Sequence, residues 1–342
     1  MAVRYRPMRA NDVRECVEIV AAHPIVGPRY GDAIADLGPA WLRLLYSDGF
    51  CAHAVIEETH GAQVNKLAIG ISVFVDDEFL RETKTPPHFW VGPELAKRVV
   101  RGHSPVLSHR QLCEANARGG LNLMYWTATA RSEALHRVDL PGVHMAAALE
   151  YQLGYRLKEV AGQAESTEHL LRRRNGGVLL WKDCEGGYSE FWQDDLGAIV
   201  AKPHLIGMTR ELAFTRTGSW VGSLFLLYQP PKIGFSRSEQ RLLLSAIHGK
   251  TDQELSDEML ISFATVKKTW RLIYDRVAAC SPELIPGNFA ADDGANTRGK
   301  EKKQRLIAYL RDHPEELRPV SRKLLQAGAT QARLSSKDWA DS

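Results

Sequence analysis

This 342-residue sequence has no closely spaced cysteine pair, no long apolar run and no large excess of one charge sign. The five cysteines are scattered and form no CxxC pair, which argues against a zinc ribbon or a disulfide scaffold and favours a reducing compartment. The most apolar run, VGSLFLLY, is far too short to span a membrane. The chain is charged from Arg4 onward, and no apolar segment of signal-peptide length follows. We therefore expect a cytoplasmic protein with no membrane partner.

The overall charge balance also does not indicate a binding partner. Forty-four Lys and Arg residues face 41 Asp and Glu, a net charge of +3. Residues 232–280 and 281–342 each carry a net charge of +2, with eight basic against six acidic residues and eleven against nine. A nucleic-acid partner must therefore be argued from the local placement of cations. The length predicts two or three domains.

Residues 1–160 alternate between strand and helix patterns. A short strand is predicted over Val3–Pro7, and Asn11 or Asp12 can cap the helix DVRECVEIVAAH that follows. Two apolar runs around the polar segment EETHGAQVNK predict a hairpin. The run VHMAAALEYQLGY predicts a helix that leads into the strand RLKEV. This pattern predicts a mixed α/β module.

Residues 161–231 are predicted to be a β-rich, sensor-like segment that ends in a linker. VLLW, LAFTRTG and WVGSLFLLY are the predicted strands, separated by the turn signals NGG, CEGG and RTGS. The two prolines of YQPPK end the last strand. A single larger α/β domain over 1–231 is the alternative. The predicted fold class is α+β, with an all-α domain after the linker.

After the linker, three helix starts follow one another. Ser236 with Glu239, and Thr251 with Glu254, each have the spacing of a capping box, in which a hydroxyl and a carboxylate satisfy each other's backbone N–H groups. Ser262 can cap a third helix. The sequence therefore predicts three short consecutive helices over 232–280.

The third helix has one apolar and one basic face. Its apolar residues are Val266, Trp270, Ile273 and Val277. They recur at i, i+4, i+7 and i+11, which places them on one side of a helix. Lys267, Lys268 and Arg271 fall on the opposite side. This arrangement suits insertion into the DNA major groove, although a charged face that is merely solvated is the alternative.

The segment from Phe235 to Val277 resembles the LuxR-type helix-turn-helix of bacterial transcription regulators. The shared positions are Ser236, Glu239, Leu242, Leu243, Gly249, Thr251, Glu254, Leu255, Met259, Ile261, Ser262, Thr265, Val266, Lys267, Ile273 and Val277. The resemblance implies that Ser262–Ala279 is the recognition helix. Its implied DNA-binding residues are Thr265, near the backbone, and Lys267, Lys268 and Arg271. It also implies a homodimer on double-stranded DNA, because one such unit reads only a half-site.

Three positions depart from the LuxR-type pattern. The family has His where Thr269 stands, Ala where Ser256 stands, and an aliphatic residue where Trp270 stands. None of these changes removes a cation from the basic face. Residues 281–342 form a basic helical C-terminal extension, which either contacts DNA or a second subunit, or is a solvated helix covering the apolar side of the domain.

The N-terminal region more weakly resembles the GNAT acetyltransferase fold. YRPMRANDVRECVEIV, AIGISVFVDD and ALEYQLGYRLKEV match a first strand and helix, a central strand, and a late helix and strand. The acetyl-CoA loop of that family, (Q/R)xxGx(G/A), is expected before SHRQLCEANA, where VVRGHSPVL does not match it. We therefore assign no catalytic residue, predict no cofactor and expect that the chain is not an enzyme.

Two functions stay open for this region. It is expected to sense a small-molecule effector or a partner; the alternative is an acyl-CoA-dependent acyltransferase fused to a DNA-binding domain. The histidines His103, His109, His136 and His144 lack the spacing of metal ligands, so no metal site is predicted. Tyr125 and Trp126 either line a pocket or belong to the core.

Overall fold

The computed structural model of the chain describes residues 3–58, 64–164, 166–216, 218–285 and 295–325. The chain forms two compact units. Unit 1 comprises residues 1–152 and 156–227, and unit 2 comprises 153–155 and 228–342. Within the described ranges, no helix is both long enough and apolar enough to cross a membrane.

Unit 1 is a mixed α/β structure around one sheet. Its strands are β1 (Val3–Pro7), β2 (Phe50–Glu58), β3 (Val64–Val75), β4 (Leu121–Ala130), β5 (Leu157–Gln163), β6 (Leu179–Lys182), β7 (Gly187–Ser189) and β8 (Leu205–Thr209). Its helices are α1 (Val13–Ala22), α2 (Val26–Tyr30), α3 (Ile34–Leu44), α4 (Asp77–Thr83), α5 (Val91–Val100), α6 (His109–Ala117), α7 (Leu140–Gln152), α8 (Thr167–Asn175), α9 (Leu196–Ala201), α10 (Arg210–Phe214) and α11 (Trp220–Leu226).

The strand order in this sheet is β1-β2-β3-β4-β5-β8-β6-β7. The pairs from β1 to β4 are antiparallel, as the predicted hairpin requires, whereas β4 and β5 are parallel. A parallel pair needs a crossover connection, and α7 supplies it. The helix therefore begins beyond the carboxyl end of β4 and returns the chain to the start of β5.

The main hydrophobic core of unit 1 lies on one face of the sheet. Apolar side chains of α1, α3 and α5 pack there against β3 and β4. Trp126 points into this core, with its ring centroid 6.3 Å from that of Trp41 and 6.4 Å from that of Phe50. The opposite face carries α7, which packs against β1, β2 and β3.

The predicted division of residues 1–231 is wrong. A boundary at 160 falls inside β5, and β8 pairs with β5 in the same sheet, with Ala161 opposite Gly207. The segment 161–231 therefore continues the first module, which is the alternative that the sequence left open.

Two of the strands predicted in that segment are helices. LAFTRTG begins within α10, and WVGSLFLLY contains α11. Hydroxyl caps start both, since the side chain of Thr209 accepts from the N–H of Leu212 and that of Ser219 accepts from the N–H of Gly222. Val221 and Phe225 are buried one helical turn apart, a spacing that a short apolar run hides.

The described elements of unit 2 are helical. They are α12 (Arg237–Ala246), α13 (Asp252–Met259), α14 (Phe263–Cys280) and α15 (Ala295–Asp312), with short 3-10 turns at Pro282–Leu284 and Pro314–Leu317. The side chains of α15 before residue 301, and everything after residue 325, lie outside the described part of the chain. Lys300 of the basic C-terminal extension is among the residues whose side chains are not described.

The C-terminal extension shares a core with the three-helix segment. Leu306 and Leu310 of α15 are fully buried with Leu242 of α12, Leu255 of α13 and Ile273 of α14. The boundary predicted at 280 is therefore not a boundary between compact units. The sequence left two interpretations of the extension open. This packing agrees with the second, in which the extension covers the apolar side of the domain.

Glu316 ties the start of unit 2 to its end. Its side chain is 1% exposed, and its carboxylate accepts hydrogen bonds from the backbone N–H groups of Lys232, Ile233 and Gly234 at 2.7–3.2 Å. The hydroxyl of Tyr309 donates to the same carboxylate at 3.2 Å. Three successive N–H groups around one anion form a nest, which anchors the segment that leads into α12.

Candidate functional site

The helix starts in unit 2 lie where the sequence predicts them. Ser236 and Thr251 form capping boxes with Glu239 and Glu254, and the Ser262 hydroxyl accepts from the N–H of Thr265 at 3.1 Å. These hydroxyls occupy backbone donors that a helix leaves unpaired at its first turn, and each such cap stabilises a helix by about 0.5–2 kcal/mol.

The turn between α13 and α14 is short and fixed by a side chain. Leu260 has a φ of +54°, the left-handed conformation that ends α13, and its side chain is 91% exposed. The Ser256 hydroxyl donates to the carbonyl of Ile261 at 2.6 Å. This contact gives one departure from the LuxR-type pattern a structural role, because an alanine at 256 could not fasten the turn.

Trp270 is a second position at which the chain departs from the LuxR-type pattern. It is 5% exposed, and its indole N–H donates to Asp252 at the start of α13, at 3.2 Å. The ammonium group of Lys303 lies 2.9 Å from the same carboxylate and 4.9 Å from the indole centroid. An aliphatic residue could not make the hydrogen bond or the cation–π contact, so the indole links three helices in this chain.

The predicted DNA-binding residues share one exposed surface. Thr265, Lys267, Lys268 and Arg271 are all exposed on the first three turns of α14, opposite the buried face. The Lys267 ammonium lies 4.6 Å from the ring centroid of the exposed Phe263. Their exposure agrees with the prediction, whereas contact with DNA stays a prediction.

The charge on this surface is uncompensated within the described residues. Elsewhere in unit 2, cations pair with carboxylates, as Lys250 does with Glu258 and Arg276 with Glu239. Lys267, Lys268 and Arg271 make no such pair among the residues that the structure describes, and no acidic residue occurs between 259 and 274. The surface therefore presents three positive charges to solvent.

A second candidate site lies in unit 1, on the sheet face that carries α7. Tyr125, Thr127 and Thr129 alternate along β4 and point to this face, while Trp126 points to the opposite core. Tyr125 therefore lines a pocket, and Trp126 belongs to the core. Thr127 and Thr129 are 2% and 4% exposed, so this face buries polar groups where a sheet core would be apolar.

His53 and Gly70 form a cross-strand pair beside these threonines. They are directly opposite each other on β2 and β3, and a Cβ atom at residue 70 would lie 2.3 Å from the imidazole. A glycine is therefore needed for the ring to lie flat on the sheet. Burial, with a smaller contribution from His144, lowers the pKa of His53 well below its usual value, so this imidazole is neutral at pH 7.

Helix α7 adds polar partners from above the sheet. The His144 ring nitrogen Nδ1 lies 3.0 Å from Nε2 of His53. The Tyr125 hydroxyl donates to Gln152 at 2.9 Å, and the Gln152 amide donates to the Ser72 hydroxyl at 3.0 Å. Burial raises the pKa of Tyr125 to about 12, so the phenol stays protonated and acts as a donor.

These groups surround a cavity of about 390 Å³, within the size range of small-molecule sites. Alanine and glycine on the inner side of α7, including Ala148 and Gly142, leave this space open. Arg173 of α8 also lines it, with its guanidinium 4.8 Å from the Tyr125 ring centroid. Among the described lining residues there is no Asp, Glu or Lys.

The segment VVRGHSPVL, where the acetyl-CoA loop was expected, precedes α6, which leads into β4. The helix that joins the parallel strands β4 and β5 is α7, and the segment between β4 and α7 is RSEALHRVD.

The described part of the chain contains no group of three or more His, Cys, Asp or Glu residues that could hold a metal ion. His144 contacts His53, and His109 pairs with Asp48 at 2.6 Å. Sequence reasoning missed His53, although a histidine inside the apolar run FCAHAVI was a usable signal.

Comparison with known proteins gives one distant likeness. No family profile and no curated protein matches the sequence. A solved structure from Corynebacterium glutamicum, described as histone acetyltransferase HPA2 and related acetyltransferase, matches with 10% identity and a TM-score of 0.35. The match covers 60% of this chain and 95% of that one.

This match corrects one expectation. We expected that the chain is not an enzyme, and that expectation is withdrawn because the matching structure carries the name of an acetyltransferase. The name agrees with the weaker, N-terminal resemblance. At this identity and TM-score the likeness assigns neither an activity nor a substrate. Nothing in the comparisons matches the LuxR-type segment, which stays a prediction.

Proposed function

We propose that this chain binds double-stranded DNA as a transcription regulator, with α14 in the major groove and α13 across the backbone. The observation that carries the proposal is the basic surface of α14, formed by Lys267, Lys268 and Arg271 with Thr265 at its N-terminal end. A solvated helix face usually mixes both charge signs, whereas this one presents three cations over three turns and no acid.

The packing beneath the surface supports the same proposal. A recognition helix must be held rigidly by one face while the other enters the groove. Val266, Ile273 and Val277 of α14 are fully buried, and Trp270 bonds α13 to α14 through Asp252. The groove-facing side chains therefore extend from a fixed helix, and a homodimer would present two of them to two half-sites.

Selection of duplexes from a random DNA pool tests the proposal. Full-length protein is compared with a Lys267/Lys268/Arg271 triple alanine variant. The charge-matched control replaces the exposed Lys232, Arg237 and Arg241 with alanine, which removes three cations from unit 2 but none from α14. We expect an enriched motif for the wild type and the control, and none for the α14 variant.

Single substitutions separate base contacts from phosphate contacts. Changing a base-reading residue to alanine weakens DNA binding by about 1–3 kcal/mol and relaxes sequence preference only at the base pair that it reads. A phosphate contact instead weakens all sequences alike and reduces the salt slope by about 1. Equal DNA affinity of the wild type and the α14 triple variant would refute the proposal.

A second candidate function, acyl transfer by unit 1, has its own observation. Helix α7 begins at the carboxyl end of β4 beside the cavity, and a helix N-terminus can hold an anionic group such as a pyrophosphate. The test is whether the full-length protein turns over acetyl-CoA in the presence of a mixture of amine acceptors. The measured quantity is the free thiol of coenzyme A that acetyl transfer releases. Release above the uncatalysed rate supports this function.

A further inference from the structure

The first two turns of α6 carry an imidazole and a thiol that contact each other. His109 and Cys113 are four residues apart, so both side chains lie on one side of the helix. Nε2 of His109 lies 3.6 Å from Sγ of Cys113. The other ring nitrogen, Nδ1, lies 2.6 Å from a carboxylate oxygen of Asp48. A thiol, a base and a group that orients the base therefore follow one another through successive contacts.

The backbone holds the two segments of this cluster side by side. Asp48 lies in the turn before β2, and His109 is the first residue of α6. The N–H of Phe74 donates to the carbonyl of Gly49 at 2.8 Å, and the N–H of Leu107 donates to the carbonyl of Phe74 at 2.9 Å. A Cβ atom at residue 49 would lie 2.5 Å from the Leu107 carbonyl oxygen, so a glycine is needed for this close approach. The fold therefore fixes the contact between the carboxylate and the imidazole.

The contact with Asp48 decides which nitrogen of His109 carries a proton. A carboxylate only accepts hydrogen bonds, so Nδ1 of the imidazole is the donor. Nε2 then has a lone pair that can accept the proton of the Cys113 thiol. Proton transfer gives a thiolate beside an imidazolium, which the carboxylate stabilises. The thiolate is the nucleophilic form of cysteine.

We propose that Cys113 is a reactive thiol that hydrogen peroxide oxidises to a sulfenic acid, with His109 as its base. Cys113 is partly exposed and the His109 side chain is 38% exposed, so a molecule as small as hydrogen peroxide can reach the sulfur. Asp48 acts through His109 and is a positioning residue. The inference goes beyond DNA binding and acyl transfer, and it depends on neither.

The reaction consumes one thiol and one peroxide molecule. The thiolate sulfur attacks one oxygen of hydrogen peroxide, so that an S–O bond forms and the O–O bond breaks. The sulfur is oxidised and the peroxide is reduced. The departing hydroxide takes the proton that His109 received from the thiol and leaves as water, which returns the imidazole to its neutral form. The product, a cysteine sulfenic acid, is the first state in the oxidation series of cysteine.

The cysteines of the chain provide an internal test. Cys184 and Cys280 are exposed, whereas Cys113 is only partly exposed, so exposure alone predicts that the first two react faster with iodoacetamide. We expect the reverse order in the full-length protein at pH 7, with Cys113 alkylated at least about fivefold faster than either, because an ordinary thiol is only a few per cent thiolate at this pH. Burial raises the pKa of the Cys16 thiol to about 12, so Cys16 serves as the unreactive reference. Mass spectrometry of the cysteine peptides gives each rate.

Variants of the base and of the positioning residue test the mechanism. His109→Gln should slow alkylation of Cys113 at least about fivefold and leave the rate at Cys184 unchanged. His103→Gln is the matched control, since this exposed histidine precedes α6, and it should change neither rate. Asp48→Asn should raise the pH at which the Cys113 rate is half-maximal, because the imidazolium loses the negative charge beside it. A merely structural role of Asp48 would leave that pH unchanged.

Dimedone, which labels sulfenic acids, tests the oxidation itself. After hydrogen peroxide is added to the full-length protein, the adduct should form on Cys113 before it forms on Cys184 or Cys280. A Cys113 alkylation rate no higher than those of the two exposed cysteines would overturn the proposal. Rapid alkylation without a dimedone adduct on Cys113 would overturn the assignment of peroxide as the reactant. Should a variant fail to fold, the comparison among the cysteines of the wild-type protein still decides.

Discussion

Replacing Glu316 with glutamine should strongly destabilise unit 2. The carboxylate is buried, and both of its oxygens accept from the nest at Lys232, Ile233 and Gly234. A glutamine has one acceptor oxygen. Its NH₂ group is a donor and would face at least one backbone N–H from which it cannot accept a hydrogen bond. The substitution keeps the shape of the side chain, so the loss is one of hydrogen bonding rather than packing.

The magnitude follows from the contacts. One buried N–H left without an acceptor costs about 1–3 kcal/mol. The remaining hydrogen bonds lose their charge assistance, and a neutral bond contributes about 1 kcal/mol less than a charged one. Together we expect Glu316→Gln to lower the free energy of unfolding of unit 2 by about 2–5 kcal/mol.

Hydrogen exchange followed by mass spectrometry measures this change locally. The most protected amides of α12 and α14 should exchange at least about 30-fold faster, because each 1.4 kcal/mol is a factor of about ten. Peptides from unit 1 serve as an internal reference and should be unchanged. Glu301→Gln is the matched control, since its partly exposed pair with Arg305 contributes less than about 0.5 kcal/mol. Unchanged exchange in α12 and α14 would refute the reasoning.

Three further predictions concern the two candidate sites. Gly70→Ala should destabilise unit 1 by about 1–3 kcal/mol in urea unfolding, because the new Cβ would lie 2.3 Å from the His53 imidazole. Trp270→Leu should destabilise unit 2 by about 2–4 kcal/mol and weaken DNA binding, because it removes the bond to Asp252 and a buried aromatic ring. His53→Gln should reduce the loss of stability on acidification. The folded pKa of His53 is lowered, so the unfolded chain binds more protons below pH about 6.5, and stability falls as the pH drops below that value.

Each of these predictions has a control. Gly142→Ala meets no atom within 4 Å of its new Cβ and should leave stability within about 0.5 kcal/mol of the wild type. Trp270→Phe keeps most of the packing and loses only the indole donor, so it should cost less than Trp270→Leu. For His53, melting temperatures of wild type and variant are compared between pH 7.5 and 5.5. Parallel pH curves would contradict the assignment of a neutral buried imidazole.

Prediction from the sequence succeeded where local rules decide the structure. The capping boxes at Ser236 and Thr251 depend on two residues three positions apart, and the structure contains both. The hairpin, the first helix and the strand RLKEV were likewise predicted from local patterns, namely apolar runs, helical spacing and turn residues. Periodicity also placed Lys267 and Arg271 on the exposed side of α14, because the buried face fixes the opposite one.

Prediction from the sequence failed where tertiary contacts decide the structure. LAFTRTG and WVGSLFLLY were predicted as strands because they are short and flanked by turn residues, but hydroxyl caps and packing on the sheet make helices of both. The boundary at 160 was wrong because pairing of β5 with β8 joins residues more than forty positions apart. The cavity was not predictable, since residues of eight different helices and strands converge there. Tyr125 was identified only as a possibility, and His53 not at all.

The pairing of β5 with β8 also limits how the protein can be shortened for laboratory work. A fragment that stops at residue 160 would cut β5 and remove its partner β8, so unpaired backbone N–H and C=O groups of β5 would face solvent. Such an edge is a template for pairing with another chain, so we expect the fragment to aggregate more than the full-length protein. A fragment that ends at 227, after α11, keeps β8 paired with β5.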